Sequence, residues 1–162
     1  MISDITLEPN FSASLELLFD NNVKVFSIPY GEQNEEEYQK QLLQSDIIVI
    51  WLNFETEILD LYIAAYSHTM TEQQIINEIV SRCSSLYAEL QIYENAVVSW
   101  LLFEDYFYKI SAVLGCIYEK LVDKINIQIS ETLSNNISFI DLKRLIAQIG
   151  ITCAYNTRGK YR

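Results

Sequence analysis

Two short runs of consecutive apolar residues constrain this chain more than anything else in it. They are Ile47-Ile48-Val49-Ile50-Trp51-Leu52, bounded by Asp46 and Asn53, and Ala96-Val97-Val98-Ser99-Trp100-Leu101-Leu102-Phe103. Runs of this length, rich in β-branched and aromatic side chains, predict strands covered on both faces, as in a parallel sheet. Between them, Ile75, Ile76, Ile79, Val80, Cys83, Leu86, Tyr87 and Leu90 recur at helical spacing from Thr71 to Tyr93, and Thr71 with Gln74 forms a capping box ahead of that helix. A second amphipathic helix is predicted from Ile117 to Leu133, ending at Asn135-Asn136. The segment Ile137-Ser138-Phe139-Ile140 reads as a further strand. A helix from Asp141 to Ile149 follows it and stops at Gly150, which suits a left-handed cap.

The same alternation begins earlier. Val23 to Ile28 is a β-rich run closed by the turn residues Pro29-Tyr30-Gly31, and Glu35 to Leu43 is helical with its acids at the N-terminal end. Phe11 to Phe19 also reads as a helix, with Phe11, Leu15, Leu18 and Phe19 on one side. Only Met1-Ile2-Ser3 remain ahead of it for a first strand, which must therefore be very short or entered just inside. Strand–helix alternation of this kind predicts an α/β three-layer sandwich. Its sheet is doubly wound and parallel, with about five strands in the flavodoxin-like order 2-1-3-4-5. At 162 residues the chain has the length of one domain.

Charge narrows the function classes. The 22 acidic residues outnumber the 11 basic ones, for a net charge of -11, which opposes bulk binding to nucleic acid or anionic membrane. No apolar run approaches the roughly 18 residues of a membrane-spanning helix, and Asp4 stands where a signal peptide carries bases. Cys83, Cys116 and Cys153 are widely separated in apolar surroundings, and His68 is the one histidine. They predict buried free thiols in a reducing cytoplasm, with no zinc site and no Cys/His nucleophile. Neither a glycine-built phosphate loop nor a GxSxG elbow occurs, so no cofactor is expected.

In doubly wound sheets ligands bind at the carboxyl ends of the strands. The residues expected there are Ser3, Asp4, Ile5 and Thr6, then Tyr30-Gly31-Glu32, then Asn53-Phe54-Glu55, then Glu104-Asp105-Tyr106. Asp4, Glu55, Glu104 and Asp105 read either as a carboxylate cluster or as solvated acids at helix N-termini. Tyr106, Phe107 and Tyr108 are candidates to line a pocket there, whereas Tyr62, Tyr66 and His68 read as packing of a short helix. Trp51 and Trp100 fall inside strands as core aromatics.

Several of these segments resemble a known family. Ser3-Asp4-Ile5-Thr6-Leu7-Glu8-Pro9, Ile28-Pro29-Tyr30-Gly31, Val49-Ile50-Trp51-Leu52-Asn53, Phe139 to Gly150 and Tyr155-Asn156-Thr157-Arg158 are similar to the N-terminal domain of FkbH-like proteins. That resemblance implies an SGNH-hydrolase-like α/β domain followed by a haloacid-dehalogenase-type domain. In that family the second domain loads a glyceryl unit onto a carrier protein for polyketide-type synthesis. Its DxDxT motif is absent here, so the resemblance implies a single SGNH-like domain over 1–162, excised from a two-domain protein whose parent is a phosphatase or glyceryltransferase.

The SGNH pattern is only partly kept. It places a serine nucleophile in a Gly-Asp-Ser block after the first strand, where this chain has Ser3-Asp4-Ile5 and hence isoleucine at the nucleophile's position. Asn53 matches the oxyanion asparagine, but no histidine follows Asp141. A hydroxyl without an imidazole base is a poor nucleophile. The expected function is therefore a non-catalytic docking domain. Its partners would be the second domain or an acyl carrier protein, held by Lys143, Arg144, Arg158, Lys160 and Arg162, which are five of the 11 bases. The alternative is a residual hydrolase or acyltransferase using Ser3 or Thr6 with Asp4 and Asn53.

Overall fold

The structure is a computed structural model that describes residues 1–3, 11–20, 22–52, 60–61, 70–103, 114–133, 137–141 and 144. In chain order its elements are β1 (Ile2–Ser3), α1 (Phe11–Leu18), β2 (Ile28–Pro29), α2 (Glu36–Leu43), β3 (Ile47–Trp51), α3 (Glu72–Leu90), β4 (Val97–Leu101), α4 (Leu114–Thr132) and β5 (Ile137–Ile140). The strands form one five-stranded sheet in the order β2-β1-β3-β4-β5, and every pairing is parallel. This is the doubly wound layout that the sequence predicts. Right-handed crossovers require α2, α3 and α4 on one face, because each moves the chain in the same direction across the sheet. The β1–β2 connection runs the other way and sets α1 on the opposite face.

Register explains where the core lies. Ile28, Ile2, Ile50, Trp100 and Phe139 are in-register neighbours, and Ile48, Val98 and Ile137 form the row below. In-register residues of a parallel sheet point to the same side, so these two rows make one face. All but Ile137 and Phe139 are buried, and those two pack against the core from the edge strand. Onto this face α3 and α4 lay Ile75, Ile79, Cys83, Leu86 and Leu90, and Leu121, Val122, Ile125 and Ile129. The helices pack against each other as well. The capping box at Thr71 is formed as predicted: Gln74 N donates to Thr71 Oγ1 (3.3 Å), and Thr71 N donates to Gln74 Oε1 (2.7 Å). Cys83 is buried and forms no disulfide among the described residues. Within this core Trp100 Nε1 is a buried donor without an acceptor among the described residues.

Three expectations need correcting. The long apolar runs are not covered equally on their two sides: Val49, Trp51, Ser99 and Leu101 are half-buried, and the first residues, Ile47 and Val97, are exposed. Three helical crossovers serve one face, whereas among the described residues only α1 serves the other. The second strand is Ile28–Pro29 instead of Val23–Ile28. Its ladder extends no further than β1 can answer, with Ile28 N donating to Met1 O and Tyr30 N to Ser3 O (both 2.8 Å). Upstream, Val25 N donates instead to Glu16 Oε1 at 2.8 Å. Finally, α1 is helical where predicted, but Leu18 is 76% exposed and Phe19 is exposed too, so the apolar side assigned to it is not buried at its C-terminal end.

Of the predicted helix from Asp141 to Ile149 only Asp141 and Arg144 are described; its Gly150 cap, Tyr62, Tyr66, His68, Tyr106, Phe107, Tyr108 and Cys153 lie outside the described residues, as does the side chain of Cys116.

Candidate functional site

The last in-register row of the sheet is Pro29, Ser3, Trp51, Leu101 and Ile140. All five strands end on it, so the chain leaves the sheet along one edge, and that carboxyl edge is the candidate site. Ser3 is the candidate catalytic residue the structure describes there. It is 3% exposed and sits in the central strand, with its carbonyl accepting from Tyr30 N at 2.8 Å. Asp4, Thr6 and Asn53, and the acids Glu55, Glu104 and Asp105, lie outside the described residues.

Beyond β2 the edge is shaped by a tight turn. Glu32 N donates to Pro29 O at 3.1 Å, and Gly31 at the third position has φ +94. A type II turn needs that left-handed geometry, which glycine adopts without a steric penalty. Among the described residues, chain neighbours aside, no atom lies within 4 Å of where a Cβ would stand, so backbone conformation calls for glycine here. The turn is tied down by Gln33, a buried amide. Its Oε1 accepts from Gly31 N (2.7 Å), and its Nε2 donates to Glu89 Oε2 on α3 (2.9 Å). Asn34 Nδ2 donates to the same carboxylate at 3.2 Å. Burial, followed by the Glu32, Glu35 and Glu37 charges, pushes the Tyr38 phenol up, and burial followed by Glu89 does the same for Tyr93, which lines a cavity at the amino edge. The carboxylates around Tyr38 thus oppose ionisation of its phenol.

Beyond β4 the chain is gripped by an asparagine. Phe103 N donates to Asn126 Oδ1 (2.9 Å), and Asn126 Nδ2 donates back to Phe103 O (2.8 Å). One amide side chain thus satisfies both backbone groups of the residue that leaves the sheet. Sequence reasoning missed Asn126, although a signal existed. It lies in the stripe Val122, Ile125, Ile129 of α4, and a polar residue within a buried stripe has a hydrogen-bonding task. Gln33 carried no comparable signal, since its burial depends on contact with a helix far along the chain.

Beyond β5, Asp141 Oδ1 accepts from Arg144 N at 3.0 Å, which is N-cap geometry for the segment that follows. Arg144 is exposed and forms no ion pair among the described residues. It is the member of the predicted basic group that the structure describes, since Lys143, Arg158, Lys160 and Arg162 lie outside. Ser3 and Ile140 are three strand spacings apart, roughly 14 Å. Ser3 and the β5 end that carries Arg144 therefore belong to different parts of the edge.

Among the described residues no three of His, Cys, Asp and Glu are grouped to hold a metal ion, and no helix is long and apolar enough to cross a membrane. Two described cavities lie at the opposite, amino edge. One, of about 170 Å³, is lined by Met1, Leu15, Val23, Phe26 and Ile47, and the other, of about 140 Å³, by Leu43, Ile92, Tyr93 and Glu94. Comparisons with protein-family models, curated proteins and solved structures give no match to this chain.

Proposed function

We propose that this chain is a positioning domain without hydrolytic chemistry, of the kind implied by its resemblance to FkbH-like proteins. There it would hold a carrier protein or a dehalogenase-type domain while that second domain forms the glyceryl ester. The observation that carries the reading is the state of Ser3. A nucleophile must be presented at the carboxyl edge beside a base, whereas Ser3 is 3% exposed within the last row of the central strand. The position expected for the nucleophile is Ile5, and the single imidazole, His68, comes between the third and fourth strands. Arg144, exposed one turn beyond β5, supports a partner-holding role for the basic end of the chain.

Ester hydrolysis and fluorophosphonate labelling of the 162-residue chain test the reading. Neither activity is expected above that of a heat-unfolded control. Labelling that disappears in Ser3→Ala or Thr6→Ala would replace the proposal with a live SGNH-type hydrolase or acyltransferase.

A further inference from the structure

The cavity of about 140 Å³ at the amino edge lies between the end of α2 and the loop that enters β4. Its floor is Leu42 and Tyr93, both buried, and its walls are Leu43 and Ile92. These two large aliphatics are 68% and 67% exposed, although each adjoins a buried neighbour in the chain. Alongside, Ile47 and Val97 are paired across β3 and β4 and are 62% and 56% exposed. Exposed aliphatics grouped around a cavity mark an interaction surface more often than scattered ones do. The size suits one large side chain, since a pocket of about 150 Å³ accommodates benzene.

Charge identifies the occupant. Glu94 lines the cavity, and Asp46 follows the lining residue Ser45, its carbonyl accepting from Val97 N. Asp46 and Glu94 are exposed and form no ion pair among the described residues. The nearest cation in these two segments, Lys40, is paired with Glu36 at 2.7 Å. A second copy of this chain would bring another -11 charges to an acidic rim, which disfavours self-association here. The neighbouring cavity differs in character, because Lys24 lies over Phe26 there, 4.9 Å from the ring centroid.

We infer that the Leu43–Ile92 slot binds a cationic amphipathic helix of a partner protein, which seats one apolar anchor on Leu42 and Tyr93 and sets its bases against Asp46 and Glu94. This mode uses an apolar face in a groove for affinity and rim charge for orientation. It is independent of the proposed role of the carboxyl edge.

A synthetic amphipathic helix of leucine and lysine, titrated calorimetrically into the full chain, provides the test, with its leucine–glutamate counterpart as control. The lysine peptide is expected to bind saturably at one site. Leu43→Asp or Ile92→Asp should weaken it by at least about tenfold, the loss of one buried aliphatic anchor. Asp46→Lys with Glu94→Lys should weaken it severalfold, and more at low salt than at high salt. All four side chains are exposed, so unfolding midpoints should stay unchanged. Equal binding of both peptides, or binding indifferent to Leu43 and Ile92, would overturn the inference. So would self-association of the chain that Ile92→Asp abolishes.

Discussion

Asn126 shows how one side chain can fix where a strand delivers the chain. Its amide closes two hydrogen bonds on Phe103, so its removal breaks both at a half-buried site. Each such loss costs about 1–3 kcal/mol. Asn126→Ala should therefore lower the unfolding free energy by about 2–4 kcal/mol in urea titration, more than an ordinary surface substitution does. A cost below about 0.5 kcal/mol would mean that water replaces the amide freely. At the other end of the sheet, the Met1 amino group donates to Phe26 O at 2.6 Å, and burial lowers its pKa from 8.0 to about 6. Between those values the unfolded chain carries the proton and the folded chain does not. Stability should thus rise from pH 6 to pH 8, level off above, and be lost as pH falls through 6, by about 2–3 kcal/mol at most. Urea midpoints of the His68→Gln variant across this range isolate the effect, because that substitution removes the chain's one imidazole. A flat profile would show the amine to be solvated. At this scale little of the site was legible in the sequence. Ser3 was identified as a candidate, but its burial follows from register with Pro29 and Trp51, which local spacing does not encode.

The helices were legible for a physical reason. Periodicity and caps are local, so the spacing from Ile75 to Leu90 named the residues that α3 buries, apart from Tyr87, which is only partly covered. Thr71 and Gln74 closed the capping box that the sequence predicted. Because both residues are exposed, Thr71→Ala should cost about 1 kcal/mol through the cap alone. Buried Ile79→Ala should cost about 2–5 kcal/mol through lost transfer energy and a cavity. Guanidinium melts of the two variants check the ordering, and a cap variant as costly as the core variant would contradict it. Strand extents were less legible. Val23 to Val25 have every local mark of a strand, yet a strand exists only where a neighbour supplies its ladder, and β1 supplies two residues. Coverage of the runs on both sides likewise depended on how many crossovers each face receives, which is a property of topology.

Across the whole molecule, topology and charge separate two edges with different chemistry. The carboxyl edge ends in a row running from Pro29 through Ser3 and Trp51 to Ile140, with exposed Arg144 just beyond it. The amino edge carries exposed aliphatics among carboxylates. The strand order was legible because short buried-type strands alternating with helices leave few topologies once crossovers are right-handed. A partner was not legible, since an overall charge of -11 describes the molecule and not any one surface. The central claim is that the basic end of the chain holds an acidic partner while the fold itself performs no ester chemistry. Titrating an acyl carrier protein into the full chain, by calorimetry at low and moderate salt, tests it most directly, with the Lys143→Glu, Arg144→Glu, Arg158→Glu variant alongside. The account predicts saturable binding that weakens with salt and falls at least about tenfold in the charge-reversed chain. No binding at low salt, or equal binding by both chains, would contradict it.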